Sequence, residues 1–270
     1  MSNAGAIAQE VTRKHVHHHF SRIAHKYRDV RTTDKEPILF IKEKLEDLAE
    51  IAAVDVGCGT GRYDMELART LGDRLSLTCV DANPGMLRQL NLNKRKYKME
   101  NLNGVRASAE SLPFFDSSLE CVFSFNAMHH FNFSGFLKES SRVLKDDGSL
   151  FVYTRLRSQN KRNIWGSHFP KFPEKETRLY ELDELQELLQ DVPQLGLESI
   201  EYYKYRRLAK LEWLREQAIN HHYSTFFMYE DGEFDEALEN FVDNIYANFE
   251  DTNRIEWDDE NIMLVLRKQY

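Results

Sequence analysis

Apolar positions along the chain fall into short blocks separated by amphipathic stretches and turn residues. The first block, IAAVDV at 51–56, runs straight into glycines, and a short apolar run of this kind marks a strand buried on both faces of a parallel sheet. Apolar residues at helical spacing follow over 62–71. The alternation then repeats: strand 75–80, helix 84–99, a strand near Val105, strand 119–125, helix 136–144, and strand 149–154 after the turn at Asp146, Asp147 and Gly148. Strands and helices in this order predict an α/β fold, a parallel sheet with helices on both faces. Two helices are expected ahead of the first strand. One covers 7–27 with a polar, His-rich middle, and one covers 36–48 with Pro37 in its first turn, where a missing N–H is harmless.

Beyond Thr154 the rhythm changes. Residues 155–180 scatter Trp165, Phe169, Phe172 and Tyr180 among polar neighbours; a helix over 182–189 and a strand over 197–205 follow, and NIMLVLR at 261–267 supplies a final strand. Two further helical patterns, 208–220 and 234–249, lie between those strands. The predicted organisation is N-terminal helices forming a lid over 1–50, a core over 51–205 plus 258–270, and a helical insertion over 206–257 that caps the substrate. The aromatics at 165–180 suit either the wall of an acceptor pocket or the packing of the cap.

Chemistry concentrates in VDVGCGTGRY at 54–63. A strand carrying Asp55 leads into Gly57, Gly59 and Gly61, with Cys58 between the first two; glycine tolerates positive φ and lets a ligand approach bare backbone. The next helix points its positive N-terminal end at the same place. Dinucleotide-binding proteins share such a loop, but they want glycine where Arg62 stands and rarely carry an acid two residues before the first glycine. A P-loop would need a Gly-Lys-Ser/Thr run that is absent. Asp81 ends the second strand, where a carboxylate faces the crevice at the carboxyl ends of the strands and can accept both hydroxyls of a ribose. RASAESLPF at 106–114 follows the third strand and SFNAMHHF at 124–131 the fourth.

These four motifs, in this order and spacing, resemble the class I S-adenosylmethionine-dependent methyltransferases, in the broad group that includes the ubiquinone and menaquinone C-methyltransferases, over residues 20–154. The resemblance implies a Rossmann-like seven-stranded sheet of order 3-2-1-4-5-7-6 with the last strand antiparallel. It also implies S-adenosyl-L-methionine as cofactor and S-adenosyl-L-homocysteine as product. Gly57, Gly59 and Gly61 would wrap the methionine part and Asp55 would organise that loop; Asp81 would hold the ribose hydroxyls, with Ala82 beside the adenine. Ser108, Ala109 and Glu110 would border the adenine ring, although many relatives have Asp in place of Ser108. Phe125 and Asn126 would offer carbonyls to the ammonium group. FSRIAHKYRD at 20–29 resembles the helix that closes over the cofactor in this group, with Tyr27 at the contact position. RNIWGSHFPKF at 162–172 and HHYSTFFMY at 221–229 resemble one branch of these methyltransferases and carry over no activity.

A sulfonium methyl is already electrophilic, so the protein's task would be to align an acceptor behind it, exclude water and, for a weak nucleophile, remove a proton. His129 and His130 follow the fourth strand, and histidine titrates near neutral pH. Adjacent residues face different ways, so at most one of the two acts as the base. His221 and His222 are second candidates inside the insertion. His15 and His19 stand one helical turn apart, but only Glu10 joins them as a further ligand, and no metal is expected.

Composition narrows the setting. The 270 residues are 41% hydrophobic and 30% charged with a mean hydropathy of -0.59, enough apolar content for a core and too much for disorder. No window approaches the roughly 18–20 consecutive apolar residues of a bilayer helix, and the amino terminus lacks a signal peptide's apolar stretch; a cytoplasmic protein with no membrane partner is expected. Cys58, Cys79 and Cys121 are too scattered for a disulfide framework, which fits a reducing compartment.

The net charge of -8 disfavours nucleic acid as a partner. Its distribution is uneven: residues 229–261 hold thirteen acids and one base, Arg254, leaving the rest of the chain at +4. Two basic runs stand out, Arg155 to Arg162 and Lys204 to Arg215. The favoured reading is a small-molecule acceptor, with tRNA or protein as the alternative and a non-catalytic cofactor-binding scaffold behind both. An acidic cap facing its pocket would favour a cationic acceptor. Methylation at carbon, nitrogen, oxygen and sulfur all run on this fold, so the acceptor atom stays open.

Overall fold

The computed structural model describes residues 32–99, 101–230 and 232–270; the helix expected over 7–27, with Tyr27 and the histidines at 15–19, lies outside them. Helix α1 (Glu36–Lys44) precedes the alternation β1 (Ile51–Val56), α2 (Arg62–Leu71), β2 (Leu75–Asp81), α3 (Pro84–Tyr97), β3 (Leu102–Arg106), β4 (Leu119–Phe125), α4 (Phe133–Val143) and β5 (Leu144–Thr154). Next come the short helices α5 (Arg157–Arg162), α6 (Ile164–His168) and α7 (Phe172–Lys175), then α8 (Leu182–Gln190), β6 (Leu195–Ala209), α9 (Leu211–Ile219), α10 (Glu233–Asn248) and β7 (Ile255–Lys268). The described strands form a seven-stranded sheet of order β3-β2-β1-β4-β5-β7-β6, parallel from β3 to β5, with β7 antiparallel to β5. This is the order that the family resemblance implied.

Local chemistry sets the helix starts. Asn83 Oδ1 accepts from Gly85 N at 2.8 Å and Met86 N at 3.3 Å, capping α3 with Pro84 in its first turn. Asn132 Oδ1 caps α4 in the same way through Gly135 N at 3.4 Å. That cap starts α4 three residues before the apolar periodicity predicts, because the cap and not the apolar stripe fixes the first turn.

The described residues divide into two compact units, one of residues 32–154, 182–201 and 262–270, the other of 155–181 and 202–261. In the first, Val54, Val56, Cys79, Cys121, Phe123 and Val152 are buried to within 1% exposure, as expected for strands covered on both faces. All three cysteines are free and buried. Among the described residues, no helix is long and apolar enough to cross a membrane.

The second unit has a core of its own. Trp165, Phe169 and Phe172 pack there with Leu214, Phe226, Phe241 and Ile245, and Trp165 stacks on Phe241 with ring centroids 5.1 Å apart. Of the aromatics that the sequence leaves open between pocket wall and packing, Trp165, Phe169 and Phe172 are therefore core residues. Their partners come from α9, α10 and the turn Ser224–Met228, which is why residues 155–181 share a unit with 202–261.

Strands β6 and β7 are longer than the apolar pattern predicts, because their extensions are held by charge. Lys204 pairs with Asp258 at 2.9 Å, Arg206 with Glu256 at 3.0 Å and with Asp258 at 3.3 Å, and Arg207 with Asp259 at 3.4 Å. Arg155 and Arg162 bind Asp259 and Glu260. Glu256 to Glu260 at the end of the acidic segment and the cations Arg155, Arg162, Lys204, Arg206 and Arg207 are thus partners across a ladder.

All three tryptophans, Trp165, Trp213 and Trp257, lie in the second unit, so tryptophan fluorescence follows that unit. Phe241→Ala removes a fully buried ring and is expected to lower stability by about 3–5 kcal/mol in urea unfolding followed by this signal.

Candidate active site

The candidate residues gather at the carboxyl ends of β1 to β4, within the first unit. β1 ends at Val56, and the turn that follows holds Gly57, Gly59 and Gly61 at φ of 80°, 56° and 81°. Gly57 and Cys58 donate their N–H groups to Val80 O at 2.8 and 3.0 Å, tying the turn to the end of β2. A Cβ on Gly57 would stand 2.4 Å from Ala127 Cβ and 2.7 Å from the Phe131 ring; one on Gly61 would stand 2.3 Å from Leu90. Glycine is thus required at both positions for backbone conformation and for space.

Asp81, half-buried at the end of β2, accepts from Gly59 N at 2.9 Å through one oxygen and from Asn83 N at 2.7 Å through the other. A carboxylate offers about four lone-pair sites, so it can accept from several donors at once. Ala82 beside it is exposed, and its carbonyl accepts from Arg106 Nε at 3.3 Å. In the segment after β3, Ser108 Oγ donates to Glu110, whose other oxygen accepts from Asn132 N at 2.7 Å; Ala109 is buried.

β4 delivers the last group. Phe125 is 7% exposed and stacks on Tyr63 with centroids 4.4 Å apart and planes 9° from parallel. Asn126 follows at φ 53°, a left-handed conformation that asparagine tolerates, and donates its N–H to Tyr153 O at 2.7 Å. His129 and His130 then sit in the 3-10 turn Met128–His130 with ring centroids 4.0 Å apart, both half-buried.

Beneath the glycine turn lie two fully buried carboxylates, Asp55 in β1 and Asp64 in the first turn of α2, 1% and 0% exposed. Burial drives the Asp55 carboxyl well above the usual range, and the charges of Asp64 and Asp81 add to the effect. Burial also pushes Asp64 up, to about 6. Thr60 Oγ1, equally buried, has no hydrogen-bond partner. Bare backbone at positive φ, a carboxylate at the strand end and two buried carboxylates beneath the turn fit a ligand that carries hydroxyls and positive charge.

Glycine loop, Asp81, the 108–110 segment, Phe125, Asn126 and the two histidines all lie at this end of the sheet. Asp64 and Tyr63 escape the sequence reading, although Asp64 lies on the same stripe as Leu67, Ala68 and Leu71 and so on the apolar face of α2. Among the described residues, no group of three or more His, Cys, Asp or Glu could hold a metal.

Residues 54–152 match the family model described as a methyltransferase domain. Over these residues the chain resembles a methyltransferase domain. A curated relative, the phthiotriol/phenolphthiotriol dimycocerosates methyltransferase of Mycobacterium tuberculosis, is 34% identical over 128 residues, 47% of this chain and 46% of that protein. The chain thus matches about half the length of its curated relatives. Among solved structures, YcgJ of Bacillus subtilis is similar with a TM-score of 0.62 at 17% identity, covering 88% of this chain and 100% of that one. A geranyl diphosphate methyltransferase in complex with GPP and sinefungin aligns with a TM-score of 0.54 at 13% identity over 86% and 77% of the two chains. At these identities the likeness is one of fold.

The glycine turn can be tested by contrast. Gly72, at φ 63° with nothing within 4 Å of its would-be Cβ, isolates the conformational cost alone. Gly72→Ala is expected to destabilise by about 1–3 kcal/mol, the cost of a side chain in a region of φ and ψ that is essentially glycine's alone, and Gly57→Ala by a further 1–3 kcal/mol from the clash with Ala127, read from thermal unfolding.

Proposed function

We propose that the chain is an S-adenosylmethionine-dependent methyltransferase that transfers a methyl group by in-line displacement to a small-molecule acceptor. The observation that carries the reading is the clamp of Gly59 N on Asp81, which sets a bare, positively curved backbone beside a carboxylate at the end of β2. The sulfonium of the cofactor supplies an activated methyl group. Asp81 holds the ribose hydroxyls, the loop Gly57 to Gly61 cradles the amino-acid end, and Ala82 with the segment Ser108 to Glu110 borders the base. Carbonyls at Phe125 and Asn126 receive the ammonium group. His129 or His130, on the turn after β4, takes the acceptor's proton where the nucleophile is weak.

Choice of acceptor is assigned to residues 155–181 and 202–261, which lie outside the stretch that matches the methyltransferase family. A small molecule is preferred over tRNA because the basic runs are engaged by the acids of β7, and cations already paired release fewer counterions from phosphate. Lipid-like acceptors belong in the first screen, since a curated relative is named for one. The three free, buried cysteines favour work in the cytoplasm.

Calorimetry with S-adenosylhomocysteine is expected to find binding, and Asp81→Ala to weaken it roughly 10- to 100-fold, the worth of charge-assisted hydrogen bonds. No binding by the wild type, or no change in the variant, would end the reading. Once an acceptor is found, His130→Ala is expected to lower kcat by about 10²–10⁴ with cofactor affinity unchanged; unchanged turnover would remove His130 from the mechanism and leave His129 to be tested in the same way.

A further inference from the structure

Asp55 and Asp64 form an arrangement that the cofactor contacts do not explain. Both side chains are out of solvent, and among the described residues neither has an ion-pair partner. Asp55 Oδ1 and both oxygens of Asp64 lack any hydrogen-bond donor. Two ionised carboxylates offer each other only acceptors, so a buried pair of this kind stays orphaned unless a proton joins it.

Helix geometry says where that proton resides. Asp64 stands in the first turn of α2, where the positive end of the helix favours the anion. Asp55 is on a strand and receives no such help. Asp55 is therefore the acid and Asp64 the acceptor of its proton. The groups that face the pair are Cys58, Cys79 and Asp81. Burial holds the Cys58 thiol far above its ordinary range. Cys79, despite the lowering effect of its bond to Cys58, is raised by burial to about 12. Both thiols stay neutral and bring no charge to the pair, while the Cys79 thiol favours the anion of Asp64. Arg62, the nearest cation in sequence, is turned toward Thr33 Oγ1 at 3.4 Å and lies over the Tyr63 ring at 4.5 Å.

We infer that Asp55 and Asp64 share a single proton, and that a cationic ligand on the glycine loop above them expels it to solvent. The second half rests on the reading of the loop as the site of S-adenosylmethionine, whose sulfonium and ammonium groups bring the positive charge. Cofactor affinity then rises with pH across the range in which the pair titrates. Asp64 is a positioning residue in this scheme, since it acts through Asp55 and the loop.

The sign for the free protein is opposite. Both groups bind protons more tightly folded than unfolded, so the stability they contribute is full below about pH 4 and is lost as pH rises through about 6 and beyond. Glu120, Glu139, Glu198, Glu233, Glu256 and Asp258 are shifted downward and titrate below that window.

Carbon-13 NMR of the aspartate carboxyls in the ligand-free full chain is the first test. One buried aspartate is expected to stay protonated at neutral pH and a second to titrate near 6, and Asp64→Asn to abolish the second. Both carboxyls ionised at about pH 5 would overturn the shared proton without any appeal to the cofactor, and the wild type alone decides this if the variant misfolds. Calorimetry with S-adenosylmethionine near pH 6, in buffers of different ionisation enthalpy, is then expected to find up to one proton released per ligand bound, and none in Asp64→Asn. Binding without proton release in the wild type would sink the linkage. The expected NMR titration without any cofactor binding would sink the cofactor reading and leave the shared proton standing.

Discussion

A parallel strand flanked by two parallel neighbours has to leave the sheet at its carboxyl end without colliding with either. For β1 the way out is the turn Gly57 to Gly61, and everything at the site depends on it. Positive φ at three glycines curls the backbone over the end of β2, where the Gly57 and Cys58 amides meet Val80 O and the Gly59 amide meets Asp81. On the other side the turn is pressed against Ala127 and Phe131, the segment that carries the two histidines. A single tight bend therefore sets the spacing between the carboxylate of β2 and the residues after β4, and a methyl group added at Gly57 disturbs both at once.

The same bend explains why acids can be buried beneath it. α2 must start directly after Gly61, which brings its first turn, with Asp64, down against β1 and Asp55. Apolar residues could fill that space at less electrostatic cost. Keeping two carboxylates there couples the shape of the loop to a proton and makes the loop's environment respond to charge above it.

Much of this was legible in the sequence, and the exceptions share a cause. The strands of the parallel core announce themselves as apolar runs because both faces are covered, and Gly57, Asp81, Phe125 and Asn126 fall at strand ends where motif spacing places them. Asp64 was hidden because an acid in a helix's first turn is ordinary on an exposed face; only its phase with Leu67 and Leu71 shows that it points inward. The outer parts of β6 and β7 were hidden because IEWDDE reads as a polar surface, and what makes it a strand is a row of cations some fifty residues earlier in the chain. Trp165 and Phe172 needed partners from α9 and α10 before pocket and core could be told apart. Periodicity reports burial against an apolar neighbour; it is silent where the neighbour is a charge.

That ladder also bears on how molecules reach the second unit. Its charges alternate in sign at contact distance, Lys204 and Arg206 against Glu256 and Asp258. Opposed charges this close present a field that decays far faster than that of a lone ion, and at physiological salt what remains is screened within about 8 Å. The ladder itself therefore exerts little pull at a distance. Whatever it recognises must be recognised on touch, by shape and by the exchange of one ion-pair partner for another.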